Sequence, residues 1–332
     1  MKKVLTIVLL ISLVATCVFA QAAGEKKDEV YKIMLTCSNT AGKPHTDALI
    51  EACEVIKQRT DGKVIIEFHG GNEMFTGAEG IEAVMNNANV MYLTDANTFQ
   101  DYYPPYATLT APFLFNGDYK QAEAFLATDF WKGLEKEAEA AGIHSVINDL
   151  VLGTRNILAS RAVYTLDDCA KLNIRVPDNA TYINIFKSLG SNYLALSTSD
   201  MVTAMSTGMC DAMEGTAASA ITYVKSIKTP HYTLDGHLMS IVGVHTGAGF
   251  WASLPEEYRN IITEEFEKAA SKSNRTYAEQ FDEYLARYEA EGCPVIRLTD
   301  EQKAAFVAAI TPYAVSLPRY EEFKKVLDGL KY

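Results

Sequence analysis

Two arginines are the residues of this sequence best suited to do chemistry. Arg155 stands in Gly153-Thr154-Arg155-Asn156, between strand-like segments. Arg175 sits near the end of the strand-like run Leu172-Asn173-Ile174-Arg175-Val176, whose apolar Leu172, Ile174 and Val176 face the other way. A guanidinium is planar, permanently charged and able to grip a carboxylate through two parallel hydrogen bonds. In a chain with 30 Lys and Arg against 42 Asp and Glu, arginines at strand ends beside a cleft are candidate anion receptors. Each taken alone also fits a structural ion pair.

Other chemistries lack their residues. The histidines at 45, 69, 144, 231, 237 and 245 show no tight metal-ligand spacing and no HExxH. There is no GxSxG elbow, no Walker loop and no GxGxxG after a strand. Gly243 to Gly249, GVHTGAG, is glycine-rich but has no lysine to cradle a phosphate. The pairs Asp167-Asp168 and Glu256-Glu257 fit helix starts, where capping accounts for them. The sequence therefore predicts no metal, no cofactor and no enzyme.

The elements that must position the arginines follow from hydrophobic periodicity. Strand-like runs at 31–37, 64–68 and 90–93 alternate with helical spacing over 47–59 and 78–85. After a helix near 121–139 the pattern restarts, with strand-like runs at 143–148, 156–160 and 172–176 and helices over about 181–189 and 199–207. Alternation of this kind predicts an α/β chain of two lobes with a ligand cleft between them. The first lobe is expected to hold 23–152 plus about 241–275, and the second 153–240 plus about 276–332. From Pro255 apolar residues recur at helical spacing to Tyr288, before Gly292 and Pro294. About 36 residues at ~1.5 Å each make a helix of about 54 Å, long enough to span both lobes. The polar stretch Ser271 to Asn274 leaves open two helices broken there.

The chain has 332 residues, 48% of them hydrophobic, 22% charged, with a formal net charge of −12. This is a folded, acidic protein, and the charge excludes nucleic acid and anionic lipid surfaces as partners. Met1-Lys2-Lys3, the apolar run Val4 to Ala20 and the small residues to Ala22 form a secretory leader over 1–22. A retained anchor and a lipoprotein cleaved before Cys17 are the alternatives. The mature chain would keep Cys37, Cys53, Cys169, Cys210 and Cys293, an odd set without a disulfide framework, which reads as buried thiols.

The stretch GTRNILASRAVYTLDDCAKLNIRVPDNATYINIFKSLGSN (153–192) closely resembles the central signature of TRAP (tripartite ATP-independent periplasmic) transporter substrate-binding proteins of the DctP type. MVTAMSTGMCDAMEG (201–215) and YYPPYATLTAPFLFNGDYKQAEAF (102–125) are similar to two further segments of that family. The resemblance implies a periplasmic, two-lobed receptor with a long helix across both lobes, closing on an organic acid and passing it to a membrane permease. It implies Arg175 as the carboxylate clamp and Arg155 as a second contact, both unpaired in the open cleft. It further places His237, Asp95 and Asn39 at the cleft. Met213-Glu214-Gly215 departs from the family pattern, with Gly215 where an Asn usually reaches the ligand beside Glu214. A monomer is expected. A ligand-sensing subunit for a receptor is the alternative of another class, and an enzyme using His237 as base is a third.

Overall fold

The computed structural model describes residues 29–331, so the expected leader and Cys17 lie outside the described residues. The described residues form one nine-stranded sheet in the order β2-β1-β3-β8-β4-β7-β5-β6, with β9 beside β8. The strands are β1 (Tyr31–Thr36), β2 (Val64–His69), β3 (Val90–Asp95), β4 (Ile143–Ala159), β5 (Asn173–Val176), β6 (Asn192–Ala195), β7 (Ala212–Thr216), β8 (His231–Gly247) and β9 (Val295–Arg297). The longer helices are α1 (Pro44–Arg59), α2 (Gly77–Met85), α3 (Tyr119–Leu126), α4 (Asp129–Ala140), α5 (Ala180–Ser188), α6 (Thr198–Ser206), α7 (Glu256–Glu279), α8 (Phe281–Ala290), α9 (Asp300–Ala314) and α10 (Tyr320–Gly329).

β1 pairs in parallel with β2 and β3, and β5 pairs in parallel with β6 and β7. Parallel neighbours need a crossover, and helices such as α1, α2 and α5 supply it. Each parallel group is covered on both faces. Leu150 packs with Leu49, Ile56, Ile262 and Phe266, while the next residue, Val151, packs with Phe99, Phe125 and Trp131. Ile157 joins Ile174, Phe186 and Phe306, and Leu158 joins Met205, Tyr232 and Tyr288. Strand alternation thus feeds four cores from two helical layers.

The two groups are joined by β4 and β8, antiparallel to each other and 17 residues each. At ~3.3 Å per residue such a strand covers roughly 55 Å. Their register shifts between Ser145/Ile147, Ile147/Leu150, Val151/Gly153 and Arg155/Ile157. The sequence reading split β4 into 143–148 and 156–160. The polar residues and Gly153 between those runs bulge the strand without ending it. Gly153 has φ +100° and carries the Tyr119 hydroxyl where a Cβ would stand, so only glycine serves there.

The expected single helix from Pro255 is two helices, and the break is at Gln280, not at Ser271 to Asn274. Gln280 takes φ −89°, ψ 0° between α7 and α8. Asn274 holds the helix together at the place where polarity predicted a break. Its Oδ1 accepts from Val151 N at 2.9 Å and its Nδ2 donates to the Asp149 carbonyl at 2.8 Å, binding α7 to the β4 bulge. At 24 residues α7 is about 36 Å long. The expected second lobe included α10 with the rest of 276–332; its Phe323 stacks on Phe125 at 5.2 Å and meets Trp131, side chains from the expected first lobe. The five described cysteines are free and buried, as expected. None of the described helices is long and apolar enough to cross a membrane.

Asn274→Ala removes the acceptor for a buried strand N–H and is expected to cost about 1–3 kcal/mol. A lowered urea midpoint with unchanged m-value would show it.

Candidate functional site

In sheets of this kind ligands bind in the crevice beyond the carboxyl ends of the parallel strands. Here Asp95 is the last residue of β3 and Arg175 the last but one of β5, both at carboxyl ends, while Glu214 lies in the middle of β7. The two arginines stand in opposite electrostatic situations.

Arg155 is fully compensated. Its Nε donates to Glu214 Oε2 at 2.5 Å and its Nη2 to Oε1 at 2.6 Å, a bidentate pair across neighbouring strands. Its guanidinium carbon lies 4.9 Å from the centre of the Tyr182 ring. Glu214, fully buried, also faces His237 Nε2 at 3.4 Å, and His237 Nδ1 is 2.7 Å from Asp235 Oδ2. Asp235 Oδ1 in turn accepts from Ile157 N at 3.1 Å. Charges alternate along this chain from Arg155 to Asp235. Burial alone would raise the Glu214 pKa, but Arg155 and His237 outweigh it and hold the carboxyl at about 2. Burial alone would lower that of His237, but Asp235 and Glu214 outweigh it and push the imidazolium up to about 9. Arg155, expected to be unpaired, is paired here. Glu214 occupies the Nε and Nη2 donors of Arg155. His237 is completely buried between two carboxylates and is not poised as a base.

Arg175 is buried, 5% exposed, and has no carboxylate within 4.0 Å among the described residues. Its Nε and Nη2 both donate to the Leu196 carbonyl, at 2.9 and 2.6 Å. Register places it beside Met213, on the face of the sheet opposite Glu214. Burial pulls its pKa down, the more distant Glu214 opposes that, and Arg155 adds to it. A buried guanidinium satisfied only by a carbonyl retains donors and a full charge for an incoming anion.

The remaining expected residues divide. Asp95 accepts from the Tyr182 hydroxyl at 3.2 Å, and its Oδ1 is buried without a partner among the described residues. Desolvation pushes its carboxyl up to about 6, with Arg155 pulling the other way. Asn39 is half-buried in the loop after β1, and its carbonyl accepts from Gly71 N at 3.1 Å, joining that loop to the one after β2. Gly215 faces away from Glu214, and a Cβ there would come within 2.8 Å of Ser219 Oγ. A side chain at 215 would have to displace Ser219, so the glycine fits its neighbour.

Sequence reasoning missed the bonds between the lobes. Asn97 Nδ2 donates to Thr181 Oγ1 at 3.2 Å and Asn179 Oδ1 at 3.4 Å, and Asn179 Nδ2 returns a bond to Asn97 Oδ1 at 3.3 Å. Nothing in the spacing marked Asn97 or Tyr182. Asp235 was legible, since residues two apart on a strand share a face with His237. A gap of about 10 Å³, room for about one water, lies between the β4 bulge, the segment after β7 and the α7–α8 break, lined by Tyr119, Thr154, Ala217, Ala218, Tyr277 and Phe281 among others.

The model of bacterial extracellular solute-binding protein family 7 (DctP) matches residues 37–318. The chain belongs to this family. This TRAP-type solute-binding protein is 22% identical over 268 residues to the C4-dicarboxylate-binding periplasmic protein of Rhodobacter capsulatus, covering 78% of each chain. It is 23% identical over 265 residues to the C4-dicarboxylate-binding protein of Bacillus subtilis (strain 168), covering 78% of this chain and 74% of that one. Among solved structures, a TRAP periplasmic solute-binding protein from Fusobacterium nucleatum with bound sn-glycerol-3-phosphate superposes with a TM-score of 0.85 at 26% identity, over 90% of this chain and 97% of that one. One from Actinobacillus succinogenes 130Z with bound L-galactonate gives a TM-score of 0.83 at 20% identity, over 90% and 100%. The two-lobed receptor fold stands, and these relatives are binding proteins, not enzymes.

His237 is held above its ordinary 6.5, so the stability it contributes is complete below pH 6.5 and is lost as pH rises through about 9. The unfolding free energy of the wild type should fall across that window, and His237→Gln should lack the slope. A flat wild-type profile would contradict a charged His237.

Proposed function

We propose that this protein is the periplasmic receptor of a TRAP transporter, taking a small organic acid into the crevice between its lobes. The acid group pairs with Arg175, the lobes close over it, and the closed form delivers it to the membrane permease. The protein works as a monomer. The observation that carries this reading is Arg175, a buried cation whose partner in the described residues is a carbonyl. Pairing with a carboxylate would replace a neutral acceptor with a charged one in a crevice where water screens little.

Arg155 has a supporting part. Its charge is neutralised by Glu214, and Tyr182 covers its face, so it shapes the wall and holds the field in place. The acid is a carboxylate, in keeping with the C4-dicarboxylates and sugar acid named for the relatives. The glycerol phosphate bound by the Fusobacterium protein supports including phosphate esters in any ligand screen.

Thermal unfolding against succinate, D-glucuronate, L-galactonate and sn-glycerol 3-phosphate, with neutral amides as controls, tests the reading. A true ligand at 100 times its dissociation constant stabilises by about 2.7 kcal/mol. Arg175→Ala is expected to weaken that binding by roughly 100-fold or more, with the fold retained. Near-normal affinity in that variant would sink the assignment.

A further inference from the structure

Gly215 and Thr216 close β7 at its carboxyl end, the end at which ligands bind in sheets of this kind, and Ala217 and Ala218 follow directly, lining a small gap against Tyr119, Tyr277 and Phe281. Gly215 and Thr216 are still paired with Asn156 and Arg155 of β4, but little holds the residues after them. The helix Ala217–Ala220 is four residues long, and such a turn is not self-supporting. Its one side-chain cap is the Thr216 hydroxyl, accepting from Ser219 N at 3.3 Å.

Two tyrosines from distant parts of the chain grip this segment from behind. Tyr232 of β8 and Tyr288 of α8 stack at 4.2 Å with planes 4° apart, both completely buried. The Tyr232 hydroxyl donates to the Gly215 carbonyl at 3.0 Å, and the Tyr288 hydroxyl donates to the Ala217 carbonyl at 3.0 Å. Asn156 Nδ2 donates to the Tyr232 hydroxyl at 3.2 Å and so orients it. Apolar packing alone would be served as well by phenylalanine, and a buried hydroxyl has to find a partner. Both find theirs on the carbonyls either side of Thr216.

We infer that Tyr232 and Tyr288 are positioning residues for ligand binding, fixing the backbone of residues 215–218 as one wall of the crevice. They touch no ligand. They set where that wall stands, and Tyr288 ties it to α8, the helix beyond the Gln280 break. The inference rests on the reading of the crevice as the ligand site.

The test compares wild type with Tyr232→Phe, Tyr288→Phe, Arg175→Ala and Phe323→Leu, the last a destabilising change in the first lobe's core. Calorimetric titration at 25 °C uses whichever of succinate, D-glucuronate and sn-glycerol 3-phosphate shifts the wild-type melting temperature most. Amide exchange of residues 214–220 is followed in the unliganded proteins. Each Tyr→Phe change should weaken binding roughly fivefold, the worth of about one neutral hydrogen bond, and speed exchange in that segment. Phe323→Leu should lower the melting temperature while leaving affinity and that exchange unchanged. Wild-type affinity in both tyrosine variants, or equal weakening in Phe323→Leu, overturns the inference and leaves the reading of Arg175 standing. If none of the three acids binds the wild type, or Arg175→Ala binds normally, the reading itself fails and takes the inference with it.

Discussion

An uncompensated positive charge is the constraint around which this molecule is arranged. Taking a guanidinium out of water is costly unless a counter-ion and hydrogen bonds replace the hydration. The fold contains two such groups, Arg155 and Arg175, and treats them oppositely. Arg155 receives a bidentate carboxylate, and that carboxylate is backed by His237 and Asp235. Arg175 receives one carbonyl. The first guanidinium has a charged partner, and the second has a neutral one.

The surrounding elements follow from keeping that difference. Glu214 and Arg175 come from adjacent strands but opposite faces, so the carboxylate that satisfies Arg155 does not collapse onto Arg175. The long strands β4 and β8 carry Arg155 and His237 through the middle of the sheet, where both lobes meet. Asn97 with Asn179 and Thr181, and Asp95 with Tyr182, bring the first lobe's strand ends against the second lobe's helix start. Under the proposed reading, a ligand between the lobes would meet these bonds, and only its differential affinity for the closed form could shift the lobes.

Much of this was legible before the structure. The α/β alternation, the two lobes and the turning of Arg175 away from Ile174 and Val176 follow from hydrophobic patterning, and the family followed from the 153–192 stretch; the near-complete burial of Arg175 did not, since an open, hydrated cleft was expected around it. What was not legible depended on partners distant in sequence. The pairing of Glu214 with Arg155 was not legible, since a side chain 59 residues away decides where it points. Asn274 looked like a helix breaker and proved a helix anchor, because the β4 bulge offered it both a donor and an acceptor. Helix α10 packs with the expected first lobe because Phe323 finds an aromatic cluster there, which no local pattern announces.

The measurement that bears most directly on the central claim is a crystal structure of the protein with its acid bound. The account predicts the acid group within hydrogen-bonding distance of the Arg175 guanidinium, with the Arg155–Glu214 pair unchanged behind it. An acid group seated on Arg155 with Glu214 displaced, or one remote from Arg175 while that side chain keeps only the Leu196 carbonyl, would contradict it.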